Sequence, residues 1–312
     1  MAIASLAILF GLALTIWSAD RFIDGAAGIA RHYHLPPLLV GMLVIGFGTS
    51  APEMMVAGLS AWQGTPGLAL GNAFGSNICN IALVLGLASV IQPITVQAQV
   101  LRRELPILAL VTAVAGLLLW GGYLSRGESG LLLLLFSGLM FQSIRKATSE
   151  QHISTDENAD FPLGEAWLWT LCGILVLFAG SRLLVWGAIT LAQALGINDV
   201  VIGLTIVALG TSLPELAATV TAAWKGRHEL ALGNVLGSNL FNTLAVVGIT
   251  GIIQPTTVPS AFLSRDILIT GLLTAALFLV GYGFRGEGRI NRLEGAALLA
   301  VYPVYNFLLL MS

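Results

Sequence analysis

The chain has 312 residues, of which 56% are hydrophobic and only 10% are charged. A soluble domain normally carries about 25% charged residues, so this composition excludes an ordinary water-soluble protein. The formal net charge is −2 and the sequence has no basic run, which excludes nucleic acid as an electrostatic partner.

Apolar runs follow one another along nearly the whole chain. A bilayer core of about 30 Å needs roughly 20 mostly apolar residues per helix. The ten runs are, in chain order, Ile3–Ala19, Leu38–Trp62, Leu68–Ile91, Leu105–Trp120, Leu131–Met140, Ala166–Leu191, Val200–Trp224, Leu230–Ile253, Ile267–Val280 and Gly295–Met311. The short alternating segments of a spanning β-barrel are missing from the sequence. We therefore predict an all-α polytopic membrane protein with ten transmembrane helices.

Lysine and arginine are unevenly divided between the two sets of alternate loops. One set holds ten of them, whereas the other holds only Arg126 and Arg265. Because cytoplasmic loops carry an excess of these residues, we predict that both termini lie outside. The loop 146–161 is then cytoplasmic.

The second half of the chain repeats the first. A shift of 162 residues lays Gly41–Pro93 on Gly203–Pro255 without a gap, and 23 of the 53 positions are identical. The matches include Gly, Asn, Pro, Trp and Glu, which a chance match of apolar sequence does not align. We predict a first five-helix repeat at 1–145, a linker at 146–161 and a second repeat at 162–312. An odd number of helices per half requires the second repeat to be inverted, an architecture common in secondary transporters.

The first repeated motif places a carboxylate inside an apolar run. It reads Gly-Thr-Ser-x-Pro-Glu and ends at Glu53 in the first half and at Glu215 in the second. Thr49 and Thr211 each precede the glutamate by four residues, so hydroxyl and carboxylate share a helix face. An ionised glutamate at the bilayer centre costs at least about 2 kcal/mol and is a functional hypothesis by default. Two such carboxylates at short distance repel unless a cation lies between them.

The second repeated motif is a polar stripe, Gly-Asn-x-x-Gly-Ser-Asn-x-x-Asn. Its serines are Ser76 and Ser238, and it ends at Asn80 and Asn242. The two motifs together offer carboxylate, amide, hydroxyl and backbone oxygens, a hard set that suits Ca²⁺ and Na⁺-like ions. Neither motif contains histidine and Cys79 is the one cysteine within them, so zinc and copper are poor candidates.

These paired motifs resemble those of the Ca²⁺/cation antiporters, specifically the prokaryotic sodium/calcium exchangers. The resemblance covers essentially the whole chain. It implies exchange of Na⁺ for Ca²⁺ by alternating access, with helices 1 and 6 sliding against a fixed core. It also implies a multi-pass protein of the prokaryotic inner membrane, with the lipid bilayer and the two ions as partners. We expect the chain to work as a monomer without a cofactor.

The resemblance also implies the roles of individual residues. Glu53 and Glu215 would bind Ca²⁺ as the metal ligands, together with the backbone oxygens of Thr49 and Thr211. The residues that would line Na⁺ or water sites are Ser50, Ser212, Ser76, Ser238, Asn80, Asn242, Gly46 and Ala208.

One departure from the family pattern concerns charge. Family members often carry Asp at one of the positions matched by Asn80 and Asn242, whereas this chain has Asn at both. The predicted site charge is therefore −2, which one Ca²⁺ or two Na⁺ would neutralise and three Na⁺ would exceed. The coupling ratio, and Na⁺ against H⁺ as the coupling ion, remain open.

Two other classes of function stay as alternatives. In a Ca²⁺/H⁺ antiporter the two glutamates would alternate between protons and Ca²⁺. A cation channel would show flux without a counter-gradient, and inverted repeats with central carboxylates disfavour it. An intramembrane enzyme is disfavoured because the sequence has no Ser-His, Cys-His or metalloprotease motif.

Overall fold

Helices form almost the whole of the structure, a computed structural model that describes residues 1–149, 162–196, 206, 208–282 and 288–311. A helix satisfies every backbone amide and carbonyl within its own segment, as an apolar environment demands. In chain order the helices are α1 (Ala2–His32), α2 (Pro37–Trp62), α3 (Pro66–Ile91), α4 (Val100–Glu104 continued by Leu105–Leu119), α5 (Arg126–Ser149), α6 (Leu163–Ala194), α7 (Leu213–Trp224), α8 (His228–Ile253), α9 (Leu263–Gly281) and α10 (Arg292–Met311). A helical turn, Ala208–Thr211, precedes α7, and Ser260–Phe262 leads into α9.

Seven helices in the described part of the chain are long and apolar enough to cross a membrane. They are α1, α2, α3, α5, α6, α8 and α9. The prediction of an all-helical, multi-pass membrane fold is thereby confirmed. α3 and α8 are the most deeply buried of the seven and α5 is the least, so α3 and α8 form the centre of the molecule.

Two predicted segments, the linker 146–161 and the apolar run Val200–Trp224, lie partly outside the described residues. α5 continues to Ser149, so the first four residues of the predicted linker 146–161 are helical. Residues 150–161 lie outside the described part, as do residues 197–205, where the second copy of the repeat begins at Gly203.

Four two-residue strands join the loops in pairs. β1 (Ile94–Thr95) and β4 (Arg289–Ile290) pair antiparallel, and β2 (Tyr123–Leu124) pairs in the same way with β3 (Thr256–Thr257). β1 and β3 occupy matching positions 162 residues apart in the sequence. Each pair therefore connects a loop of one half with a loop of the other.

α1 packs antiparallel along α6 through glycines. A methyl group on Gly173 would lie 2.9 Å from the backbone of Phe22, and one on Gly11 would lie 2.7 Å from the amide nitrogen of Leu184. Gly11 and Gly173 are counterparts in the repeat, as are Gly25 and Gly187. Because glycine has no side chain, the two backbones can approach closely at these positions, which is how helices associate in membranes.

The loop between α7 and α8 holds the second half of α1 by ion pairs. The Lys225 ammonium lies 2.6 Å from a carboxylate oxygen of Asp20 and 2.8 Å from one of Asp24. Arg227 also contacts Asp24, at 2.8 Å, and donates to the carbonyl of Ile23 at 2.9 Å. α1 is therefore attached both to α6 and to the loop that follows α7.

Candidate functional site

The two predicted glutamates lie in α2 and α7, and both are 1% exposed. Pro52 stands inside the continuous helix Gly46–Trp62, so the carbonyl four residues before it has no amide to accept from. In the second half the chain leaves helical geometry at Ser212, and Pro214 falls in the first turn of α7, where no amide is needed. The prolines of the two copies therefore affect the helix in different ways.

The carboxyl groups of Glu53 and Glu215 come together between the two halves. They are close enough to interact electrostatically. Ser50, one turn before Glu53 on α2, lies 3.5 Å through its hydroxyl from Oε1 of Glu215. Among the described residues neither oxygen of Glu53 has a hydrogen-bond partner, and neither does Oε2 of Glu215. Buried carboxylate oxygens without donors are energetically costly, and a bound cation would stabilise them.

Thr49 of the first half contacts α8 of the second. Its hydroxyl donates to Oδ1 of Asn234 at 3.1 Å and lies 3.4 Å from the hydroxyl of Ser238. α2 can come this close because Gly237 has no side chain. A methyl group on Gly237 would lie only 2.5 Å from the carbonyl oxygen of Met42. The structure therefore places Thr49, Ser50 and Ser238 beside the paired glutamates.

The remaining residues of the first motif lie at the helical turn before α7. Thr211 ends that turn and is half-buried. Ser212 is buried, and its hydroxyl has no hydrogen-bond partner among the described residues. Gly46 lies against α8, where a methyl group would be 3.1 Å from the amide nitrogen of Ser238, and Ala208 begins the helical turn.

The asparagines of the second motif meet where α3 crosses α8. Nδ2 of Asn80 donates to Oδ1 of Asn239 at 3.1 Å, and Nδ2 of Asn77 donates to the hydroxyl of Thr243 at 2.8 Å. Oδ1 of Asn80 and both polar atoms of the Asn242 side chain are buried without partners in the described part of the chain. Ser76, one turn before Asn80, is also buried. The stripe therefore presents amide oxygens in the protein interior.

The ligand atoms gathered here are oxygens from two carboxylates, hydroxyls, amides and backbone carbonyls. Such a set suits hard cations, Ca²⁺ among them. The described residues contain no group of three or more His, Cys, Asp or Glu that could hold a metal ion, so the candidate site has two carboxylates and no more. Cys79 and Cys172 are free thiols on α3 and α6.

Two residues that contact the site were not predicted from the sequence to take part in it. Asn234 belongs to the repeated motif, where the sequence favours hydrogen bonding between helices over ion binding, and Thr219 lies outside both motifs. In the structure Nδ2 of Asn234 donates to the carbonyl of Glu215 at 3.2 Å and to the hydroxyl of Thr219 at 2.8 Å. The sequence holds one signal for this difference between the halves, because position 57, the counterpart of Thr219, is alanine.

Comparison with known proteins places the whole chain among cation exchangers. The family described as "Sodium/calcium exchanger protein" matches residues 3–145 and 165–311. The chain is 43% identical to "Putative antiporter CaxA" of Alkalimonas amylolytica over all of both chains. It is 37% identical to "Inner membrane protein YrbG" of Escherichia coli, over 89% of this chain and 88% of that protein. A solved structure of the sodium-calcium exchanger NCX_Mj superposes with a TM-score of 0.85 at 29% identity, covering 97% of this chain and 98% of that one.

The fold and the buried, oxygen-lined site define a multi-pass membrane antiporter for cations. The chain belongs to the sodium/calcium exchanger family. This confirms the resemblance found in the repeated motifs. Na⁺ and Ca²⁺ are the ions that the family exchanges, and its members are transporters rather than enzymes.

Proposed function

We propose that this protein exchanges Na⁺ for Ca²⁺ across the membrane by alternating access. Ca²⁺ binds between the carboxylates of Glu53 and Glu215, with backbone oxygens of Thr49 and Thr211 completing its shell. The serines and asparagines of the two motifs, with the carbonyls of Gly46 and Ala208, provide the Na⁺ or water sites. The buried pair of glutamates with three carboxylate oxygens lacking donors is the observation that carries the proposal.

We further propose that the fold is a pair of inverted five-helix repeats with ten membrane-crossing helices. Under this topology β1 and β4 lie on one face of the membrane and β2 and β3 on the other. The observed strand pairs agree with it, because each joins two loops on the same side. The counterpart glycines between α1 and α6 also support it. The halves are then 1–145 and 162–312, joined by 146–161.

The orientation and assembly of the protein follow from the same proposal. The arginine-rich and lysine-rich loops, including the α7–α8 loop with Lys225 and Arg227, face the cytoplasm. Both termini then lie on the outer side of the inner membrane of a prokaryotic cell. One chain contains both glutamates, so a monomer suffices for transport.

Coupling to protons is the second candidate. It is favoured by the amides at Asn80 and Asn242, because a site charge of −2 can be neutralised by two protons on the glutamates as well as by two Na⁺. The glutamates would then alternate between H⁺ and Ca²⁺. A channel remains the candidate from another class.

Uptake of ⁴⁵Ca²⁺ into proteoliposomes separates these functions. We expect uptake when the vesicles are loaded with Na⁺ and diluted into Na⁺-free buffer at equal pH on both sides. An imposed pH gradient without Na⁺ should give only background uptake. Uptake driven by the pH gradient alone would favour proton coupling, and uptake without either gradient would indicate a channel.

A further inference from the structure

Asn234 lies at the centre of a chain of hydrogen bonds that links the two halves of the site. Its side chain is 1% exposed, and that of Thr219 is fully buried. The amide contacts the carbonyl of Glu215, the hydroxyl of Thr219 and the hydroxyl of Thr49. Its three partners belong to α2 and α7, the helices that carry the paired glutamates.

The chemistry of these groups fixes the direction of every hydrogen bond in the chain. A backbone carbonyl only accepts, so the Asn234 atom 3.2 Å from the carbonyl of Glu215 must be the amide nitrogen. The other atom of the amide is then the oxygen, which also only accepts. Thr49, 3.1 Å from that oxygen, must therefore donate its hydroxyl hydrogen to Asn234.

The fixed direction matters for cation binding. A hydroxyl binds a cation through a lone pair, and its hydrogen must point elsewhere. Because the hydrogen of Thr49 points to Asn234, its lone pairs are available to a cation or to the hydroxyl of Ser238 at 3.4 Å. Another acceptor near this hydroxyl, the carbonyl of Gly46, lies farther away than Asn234, at 3.4 Å.

We propose that Asn234 and Thr219 are positioning residues that orient the Thr49 hydroxyl and the Glu215 backbone for cation binding. The carbonyl of Glu215 sets which way the amide faces, and Thr219 accepts its second hydrogen at 2.8 Å and so holds the amide in place. The first half lacks the matching pair of hydrogen bonds among its described residues. Its counterpart of Thr219 is Ala57, and Nδ2 of Asn72, the counterpart of Asn234, has no hydrogen-bond partner among the described residues.

The two half-sites are therefore chemically unequal, although their motifs are identical. The hydroxyl of Thr49 is oriented by the side-chain amide of Asn234, and both hydrogens of that amide are held by hydrogen bonds. The Thr49 side of the binding site is therefore preorganised, which lowers the reorganisation needed when a cation arrives.

The test compares Thr219→Val with Thr219→Ser in the reconstituted full-length protein. Valine keeps the shape of threonine but removes the acceptor, whereas serine retains it. We expect Thr219→Val to raise the Ca²⁺ concentration for half-maximal uptake about tenfold, with the maximal rate within about twofold of wild type. Thr219→Ser should restore the wild-type value. Thr250→Val is the matched control, since its buried hydroxyl donates to the carbonyl of Val246 away from the site.

The outcomes distinguish this inference from the proposed function on which it rests. If wild-type protein shows no ⁴⁵Ca²⁺ uptake driven by a Na⁺ gradient, the proposed function fails before the variants are compared. If wild type transports and Thr219→Val has an unchanged half-maximal concentration, the positioning role is overturned. A fall in maximal rate alone, without rescue by serine, would also overturn it, since that is the result of a structural defect. Should the valine variant not fold, Thr219→Ala replaces it with the residue that the first half carries.

Discussion

At the scale of single residues, the buried carboxylates of Glu53 and Glu215 set the properties of the site. Each lies in an apolar helix, and three of their four oxygens have no hydrogen-bond donor in the described part of the chain. An uncompensated buried charge is costly, so the pair is stable only when a cation binds between the carboxylates or when protons neutralise them. Removal of either charge should therefore remove the affinity for Ca²⁺.

Glu53→Gln and Glu215→Gln should each reduce ⁴⁵Ca²⁺ uptake to the level of protein-free vesicles. Glutamine keeps the size of the side chain but supplies no charge to balance Ca²⁺. The measurement is Na⁺-driven uptake, normalised to the amount of folded protein in the membrane. Glu104→Gln is the control, because Glu104 is equally an inward-facing buried glutamate but pairs with Arg103 at 3.7 Å, outside the site. Transport retained in both site variants would sink the assignment.

Under the proposed function, the charge at position 242 sets the coupling ratio, which a voltage measurement can detect. At −2, exchange of two Na⁺ for one Ca²⁺ moves no net charge, so wild-type uptake should not respond to membrane potential. Asn242→Asp brings the charge to −3, which three Na⁺ neutralise. Uptake into Na⁺-loaded vesicles should then be stimulated by an inside-positive potential, because one positive charge leaves per cycle.

The control for that experiment adds a carboxylate elsewhere. Asn306→Asp places it on α10, where the Asn306 amide donates to the carbonyl of Tyr302. It should leave uptake insensitive to potential. An Asn242→Asp variant with unchanged Na⁺ and voltage dependence would show that position 242 has a purely structural role.

Some residues of the site could be predicted from the sequence and others could not. The repeat singled out Glu53 and Glu215, because identical polar residues in two apolar segments are visible without a structure. The hydrogen bond from Thr49 to Asn234 was not predictable, since it joins residues 185 apart on different helices. The first half has alanine at position 57, which matches Thr219, so a search for polar residues repeated in both halves passes over Thr219.

At the scale of elements, the contact between α1 and α6 depends on glycines that no motif contains. Apolar runs predicted both helices, but α6 extends from Leu163 to Ala194, beyond the predicted Ala166–Leu191, because three residues at each end, including Glu165 and Gln193, continue the helix. The two-residue strands were also missed. They exist only because loops from opposite halves meet, and two residues carry too little pattern to predict a strand.

Gly173→Ala should destabilise the protein by about 1–3 kcal/mol, as overpacking does in a filled interior. The added methyl group would lie 2.9 Å from backbone atoms of Phe22, which cannot move without shifting α1. The melting temperature of the purified protein in detergent measures this effect. Gly271→Ala on α9 is the control, because its methyl group would meet no atom within 4 Å, and it should leave the melting temperature unchanged or slightly higher. Equal melting temperatures for the two variants would contradict tight packing of α1 on α6.

At the scale of the whole molecule, the strand pairs constrain how the chain threads the membrane. β1 and β4 can pair only if an even number of crossings separates them, and the same holds for β2 and β3. In the proposed topology six helices lie between the first two strands and four between the second two, so both conditions are met. One helix, α4, separates β1 from β2, which puts the two strand pairs on opposite faces.

Inversion of the repeat can be tested at one pair of counterpart positions. Ala98 and Ser260 are 162 residues apart, and both are exposed at the start of a helix. In a background where Cys79 and Cys172 are replaced by alanine, Ser260→Cys should react with a membrane-impermeant maleimide in intact cells. Ala98→Cys should react only after the inner membrane is permeabilised, because the proposed topology puts its loop on the cytoplasmic face. If both cysteines react from the same side, the halves are parallel and the two glutamates are not related by an axis in the membrane plane.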